Sequence, residues 1–383
     1  MALYIGNSSS VAKKVKKLYV GVNGVAKKVK KLYVGVNGIA RLVFSDKLFS
    51  LDMPRARVSG ASNSRYAIFI GGYKYDSSSS AVYWYKNIGE AFDSALTKTS
   101  NLTFSQGISS AGGVSFTTYA IFGGGDTGNG SVTTQSEKVK AFNESLTGTA
   151  CTDLTTKRTQ MGATFVGNYA LFAGGYNSST NATTEVTAYN KSLTKSTPTA
   201  LSEKRYRLGA TTIGNYALFA GGCISSTTDQ STTVFRYNTS LTRSTATALS
   251  AATRELAGTS IGNYALFSGG YSGTSKSSTT VAYNKSLTKS TPTALTVSPG
   301  VINAGSNTNY ALFAGGGYVK GTNDIVHSYN STLTLTYNHY LSQPKSNMGV
   351  ASIGNYVLFA GGFTSSSSYT DDIDVFDGEL NLL

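Results

Sequence analysis

The sequence predicts an all-β chain closed into a ring of seven four-stranded blades, preceded by a short segment of β-hairpin repeats. Composition, a long repeat and a short repeat carry that expectation. Of 383 residues, 42 are Gly and 25 are Tyr, and only 14% are charged, a mixture that suits many short strands joined by polar turns. The hydrophobic share of 40% supports a packed core at this length, so the Ser/Thr runs read as loops on a folded body and not as general disorder.

The long repeat is anchored on Tyr66, Tyr119, Tyr169, Tyr216, Tyr264, Tyr310 and Tyr356, set 46 to 53 residues apart. Each is followed at the fifth and sixth positions by a glycine pair, from Gly71 and Gly72 through to Gly361 and Gly362. A second anchor comes later in each unit, an aromatic residue with Leu four positions on: Phe92 with Leu96, Phe142 with Leu146, Tyr189 with Leu193, Tyr237 with Leu241, Tyr283 with Leu287, Tyr329 with Leu333 and Phe376 with Leu380. The unit around Tyr216 reads as four strands: Gly209 to Ile213, Tyr216 to Ala220, one ending near Tyr237, and a Thr-rich outer strand within residues 241–249. Four strands in about 48 residues make one blade of a β-propeller. Glycine pairs let backbones pass closely where wedge-shaped blades converge, and the Tyr and Phe rings fill the space between blades.

The last blade stops at Leu383, just after its outer strand begins. Val43 to Leu51 has the look of an outer strand and is expected to complete that blade, removing two exposed sheet edges. Gly378 to Leu383 is the alternative. The propeller is therefore placed at residues 46–383 and a leader at residues 1–45.

The leader holds the short repeat. Val11 to Gly24 (VAKKVKKLYVGVNG) recurs identically at Val25 to Gly38. Asn23-Gly24 and Asn37-Gly38 are two-residue hairpin signals between alternating runs, with one face expected to be Leu/Val and the other Tyr/Lys. Eight Lys and one Arg without an acid give this segment +9 of the net +14, leaving 24 bases, 19 acids and +5 for the rest. Hairpins this small do not bury enough to stand alone, so the leader is expected to add strands to a neighbouring chain. Its contacts would be Lys13, Lys14, Lys16, Lys17, Tyr19, Lys27, Lys28, Lys30, Lys31 and Tyr33.

Lys204-Arg205 leading to Tyr216-Ala-Leu-Phe-Ala-Gly-Gly, and Pro54-Arg55 leading to Tyr66-Ala-Ile-Phe-Ile-Gly-Gly, resemble kelch repeats, and the likeness runs from Pro54 to the end of the chain. The tryptophan usual in kelch blades is missing from every one, since the only Trp is Trp84. The resemblance implies a propeller fold but no particular activity. The Lys-rich LYVGVNG unit resembles repeats near the ends of tail-associated structural proteins of bacterial phages and prophages.

Enzyme signatures are thin. The two histidines, His327 and His339, fall in one blade with no third for a zinc triad, and Cys151 and Cys223 sit in neither CxxC nor another metal-ligand spacing. The resemblance to kelch copper oxidases would require two His, two Tyr and a suitably placed Cys, which is lacking. No P-loop or Asp-box turn occurs. No cofactor or metal is expected.

Recognition is the reading the loops favour. Tight turns recur on one face, whereas the other carries variable segments rich in Ser, Thr, Asn, Tyr and Gly, such as Tyr73 to Ser80, Asn177 to Thr184 and Ile224 to Thr232. The interblade links on that face carry Arg55, Arg57, Arg158, Arg205, Arg207, Arg254 and Lys345, which could meet an anionic ligand over the central channel. Kelch repeats commonly use an Arg there for packing between blades, which is the competing expectation. The leader lysines fall at regular strand positions with no aromatic stacking pattern or recognised motif, so assembly contact ranks above nucleic acid.

The expected function is a non-enzymatic virion protein present in several copies. Residues 1–45 would anchor it to phage tail or particle proteins, and the propeller would present a recognition face to bacterial surface glycan. The alternatives are a purely structural or decorating virion protein and a carbohydrate-active propeller enzyme. With no apolar signal core and no apolar stretch of membrane-spanning length, the protein is expected to be made in the host cytoplasm and carried on the virion, without membrane insertion.

Overall fold

The structure is a computed structural model. It describes residues 49–76, 81–84, 88–129, 132–179 and 181–383, together with short backbone strands between Tyr4 and Ser45; the side chains of residues 1–48, 75–87 and 129–132 are outside this description. The chain divides into two compact units, residues 1–50 with Leu383, and residues 51–382. Every regular element among the described residues is a β-strand, and none is a helix long and apolar enough to cross a membrane.

The larger unit is a seven-bladed β-propeller. Blade 4 shows the plan: Gly209–Ile213, Tyr216–Ala220, Val234–Asn238 and Arg243–Ala246 pair in that order, each antiparallel to the next. Six sheets have four strands in this order from channel to rim, and the last, Gly349–Ile353, Tyr356–Ala360 and Ile373–Phe376, has three. The second strand of each blade buries nearly every side chain because other blades cover both of its faces, which is why it reads as a continuous apolar run. The apolar clusters accordingly span neighbouring blades: Leu171, Val186 and Leu201 of blade 3 pack with Phe219, Phe235 and Tyr237 of blade 4. In blade 4 the Phe219 and Tyr237 rings meet edge to face at 6.0 Å.

Both sequence anchors have a physical cause. Gly221 and Gly222 adopt φ of 64° and 87°, and a Cβ on Gly221 would lie 2.2 Å from the Thr253 carbonyl of the next link, so only glycine fits. The leucine anchor is less expected. Leu193 takes a left-handed φ of 60°, as do its six counterparts within a few degrees. It closes a tight turn in which Asn190 Oδ1 accepts hydrogen bonds from the Ser192 and Thr194 amides, each at 2.9 Å. The aromatic anchor also joins blades: the Tyr189, Tyr237, Tyr283 and Tyr329 hydroxyls donate to the Thr152, Thr199, Thr247 and Thr293 carbonyls of the preceding blade at 2.6 to 2.7 Å.

Ring closure uses both ends of this unit. The Ser352 amide of blade 7 donates to Ser62 Oγ of blade 1 at 3.1 Å. At the rim, Leu382 bridges to Phe376, and the Leu51 amide donates to the Asp371 carbonyl at 2.8 Å, as Leu201 does to Thr184 in blade 3. Leu51 and Leu382 therefore each supply part of the last blade's edge. Of the rest of the expected closing segment, Val43 to Ser45 belong to Ile39–Ser45 of the smaller unit, whose partner is Lys31–Val36, and residues 46–48 lie outside the described residues.

In the smaller unit, Leu18–Val22 pairs with Val25–Val29 and Lys31–Val36 with Ile39–Ser45. Val22 faces Val25 and Val36 faces Ile39, leaving two residues between strands as the Asn-Gly signals require. The register sets Tyr19 opposite Lys28 but Val20 opposite Lys27, so Lys27 falls in the row expected to be Leu/Val. Tyr4–Ile5 pairs with Lys13–Lys14. Lys16, Lys17 and Lys30 lie outside the described residues.

Candidate functional site

The two faces of the propeller follow from strand direction. Gly209 is opposite Ala220 and Ala220 is opposite Val234, so the link entering a blade and the loop after its glycine pair emerge at the same end. The other end carries the Asx-type turns. On the long-loop face several variable segments rise as small ribbons, including Asp126–Asn129 paired with Val132–Gln135 and Tyr271–Ser272 paired with Ser275–Lys276.

Each link crosses this face in an extended path that places successive residues differently. A bridging residue pairs with the residue after a glycine pair: Ala56 with Tyr73, Ser109 with Asp126, Thr159 with Tyr176, Tyr206 with Cys223, Arg254 with Tyr271 and Ser346 with Phe363. The residue before it points into the blade. The residue after it turns to the channel mouth with positive φ: Arg57, Ser110, Gln160, Arg207, Glu255 and Asn347, all between 53° and 58°. Their backbones link blade to blade, with Arg57 N–H donating to Asn347 O at 2.8 Å, Ser110 N–H to Arg57 O at 3.0 Å, Arg207 N–H to Gln160 O at 2.8 Å and Glu255 N–H to Arg207 O at 3.0 Å.

The seven basic residues expected on the ligand face therefore separate into three positions. Arg55, Arg158, Arg205 and Lys345 are the inward residues, and all four are fully enclosed. Arg55 pairs with the enclosed Glu90, Nη1 to Oε1 at 3.1 Å, with Nη2 reaching Oε2, and its Nε donates to the Gly71 carbonyl at 2.6 Å. Lys345 meets the buried Asp374 at 3.0 Å. Arg158 reaches Glu185 at 3.1 Å and Thr187 Oγ1 at 2.9 Å; burial lowers its pKa to about 10, which leaves it charged at neutral pH. Arg205 bonds Glu203 and Ser231 and lies over the Phe235 ring. Enclosed this way, each of the four fastens the link entering a blade to that blade's own strands and is not presented to a ligand.

Arg254, the bridging residue, lies over the Tyr271 ring at 4.3 Å and pairs with Glu255 at 2.5 Å. Arg207, on the channel rim, pairs with the other oxygen of Glu255 at 2.6 Å and donates from Nε to Gln160 Oε1 at 2.8 Å. Arg57 differs. It is exposed, it lies over the Tyr73 ring at 5.3 Å, and no carboxylate among the described side chains lies within ion-pair distance.

An aromatic collar surrounds this rim, at positions sequence reasoning did not single out. Tyr73, Tyr176, Tyr271 and Phe363 follow their glycine pairs directly, with Asp126 and Cys223 in the same place in blades 2 and 4. Tyr73 meets Phe363 at 5.7 Å and Tyr369 at 6.0 Å. Burial raises the Tyr73 pKa against the opposing charge of Arg57, with Tyr369, Tyr318 and Asp126 adding to the rise. Burial likewise raises Asp126, and Arg57 opposes that. Counting one residue past each glycine pair would have found the whole collar.

The histidines belong elsewhere. His327 is buried in the strand Ile325–Tyr329, where Nε2 accepts from the Thr296 amide at 3.2 Å and burial lowers its pKa to about 4. No group of three or more His, Cys, Asp or Glu among the described residues could hold a metal ion. Where blade 5 has Thr253 and Val281 instead of a buried ion pair, a small cavity lined by Leu249, Leu256, Phe267 and Ser268 remains.

These features define a propeller with one uniform face and one variable face, its channel mouth ringed by aromatic, basic and amide side chains. Compared with known proteins, the chain matches no family model and no curated sequence.

Proposed function

We propose that the protein is a non-enzymatic component of a phage tail or related particle, in which residues 1–45 attach it to neighbouring particle proteins and the propeller presents its long-loop face to glycan on a bacterial surface. The kelch-like blades act as the scaffold. One observation carries the recognition part: blades that repeat the same Asx turn on one face differ from one another on the other, in ribbons, collar residues and rim side chains. Variation confined to one face of a rigid scaffold is what a binding surface requires. The attachment part rests on the duplicated Lys-rich hairpins and their +9 charge.

The test is adhesion of labelled full-length protein to bacterial cells and to a glycan array. Replacing Asn177 to Thr184 and Ile224 to Thr232 with Gly/Ser segments is expected to reduce binding while the ring stays folded. Unchanged binding after both grafts removes the long-loop face from the account and favours a purely decorating role. Deleting residues 1–42 is expected to leave the propeller folded but absent from particles; incorporation at full copy number would move the anchor to the propeller.

A further inference from the structure

The long-loop face is electrostatically uneven. On the side formed by blades 3 to 5, Arg207 and Arg254 share the two oxygens of Glu255, and Gln160 takes a further guanidinium N–H. There both oxygens of the one carboxylate are already taken by guanidiniums, which leaves a single net positive charge spread over two arginines. On the side formed by blades 7, 1 and 2, Arg57 has an aromatic partner and no acid partner among the described side chains. It is held in place by its own backbone, which accepts from Ser110 and donates to Asn347. Beside it stand the half-buried Tyr73 and Tyr369, with Phe363 behind them. Tyr318, 43% exposed, and Val319, 61% exposed, rise from the loop of blade 6. Asp126 lies buried nearby, its charge acting on Tyr73 and favoured by that of Arg57.

We infer that Arg57, with Tyr73 and Tyr369, forms a subsite for a carboxylated sugar unit of an acidic polysaccharide, the guanidinium taking the carboxylate and the rings packing on the apolar face of the sugar. This rests on the reading of the long-loop face as a glycan-recognition surface and names the class of glycan. An exposed guanidinium with no ion-pair partner among the described side chains matches a carboxylate as a two-pronged donor. Tyr rings beside it supply flat contact area with little entropy to lose, as a sugar ring needs.

The experiment titrates the full chain with short oligomers of galacturonic, glucuronic and mannuronic acid and of sialic acid, using calorimetry. Each is paired with its methyl ester, and an oligoglutamate peptide of equal charge is run alongside. At least one acid oligomer is expected to bind, with its ester and the peptide weaker by roughly tenfold or more. Arg57→Gln is expected to lose about the same factor, whereas Arg65→Gln, an exposed arginine on the opposite face, changes nothing. Three results would each overturn the subsite: no acid oligomer binding at about 5 mM, equal binding of acid and ester, or full binding by Arg57→Gln. Tighter binding of the peptide would make the partner an acidic protein segment instead. Adhesion of the same variants to cells separates the two levels. If Arg57→Gln adheres like the parent and no acid sugar binds, the subsite fails and the recognition face stands; if the parent itself does not adhere, the recognition face fails.

Discussion

Arg55 and Arg57 are two residues apart in one link and do opposite things. Arg55 is enclosed against Glu90 inside blade 1, whereas Arg57 stands exposed on the channel rim over Tyr73. Blade 4 repeats the contrast with Arg205 inside and Arg207 on the rim. An extended link points successive residues to different sides, so a cluster of bases along it is two populations with different work. The inner population answers to strand residues of its own blade: Glu90 opposite Arg55, Thr187 opposite Arg158, Phe235 opposite Arg205 and Asp374 opposite Lys345. Each base has a matched neighbour, which is the signature of packing. The rim population has no such matching strand residue.

The sharpest way to break this contrast is to remove an inner base. Arg55→Met leaves the Glu90 carboxylate buried without its counter-charge, and is expected to destabilise the protein by about 3 to 5 kcal/mol in urea unfolding. Adding Glu90→Leu should recover most of that loss, because an apolar pair of similar volume removes the orphaned charge. A double variant as unstable as the single would mean that the ion pair is not what holds this junction.

The position facing the inner base gives a second, smaller test in blade 6, where it is occupied by His327. The unfolded chain takes up a proton there near pH 6.5 and the folded chain only near 4. Stability is therefore full above about pH 6.5 and falls as the pH drops toward 4, by roughly 3 kcal/mol. His327→Val, which copies Val281 of blade 5, is expected to flatten the stability profile across that window. An unchanged slope would assign the pH dependence to other groups.

The propeller was legible from the seven Tyr and seven glycine pairs because each reflects a constraint that recurs in every blade: a tyrosine opening the second strand, and a backbone path only glycine follows. The leucine anchor was legible as a period but not as a cause, since nothing in a Tyr-x-x-x-Leu spacing announces that Leu193 will take a positive φ. The candidate site was legible only to the level of the link. Arg55 and Arg57 differ by orientation across a non-repetitive stretch, and no strand or helix period predicts which of them faces inward. Ring closure was half legible for a similar reason, because Leu51 and Leu382 each contribute a short contact and not a full strand.

Smaller effects refine the comparison further. Tyr283→Phe deletes one hydroxyl bond to the Thr247 carbonyl of the preceding blade and is expected to cost about 1 kcal/mol, in a ring where Phe92, Phe142 and Phe376 already fill the equivalent place. Arg57→Gln is expected to change stability by no more than about 0.5 kcal/mol, since the rim side chain is exposed and its backbone bonds remain. A loss comparable with that of Arg55→Met would make the rim arginine a packing residue after all.

The division between inner and rim bases is tested most directly by arginine modification with phenylglyoxal on the native full chain, read by mass spectrometry at each site. The account predicts rapid labelling of Arg57, slower labelling of Arg207 and Arg254, which share Glu255, and none of Arg55, Arg158 or Arg205 until the chain is unfolded. Labelling of Arg55 in the native protein at a rate close to that of Arg57 would contradict it.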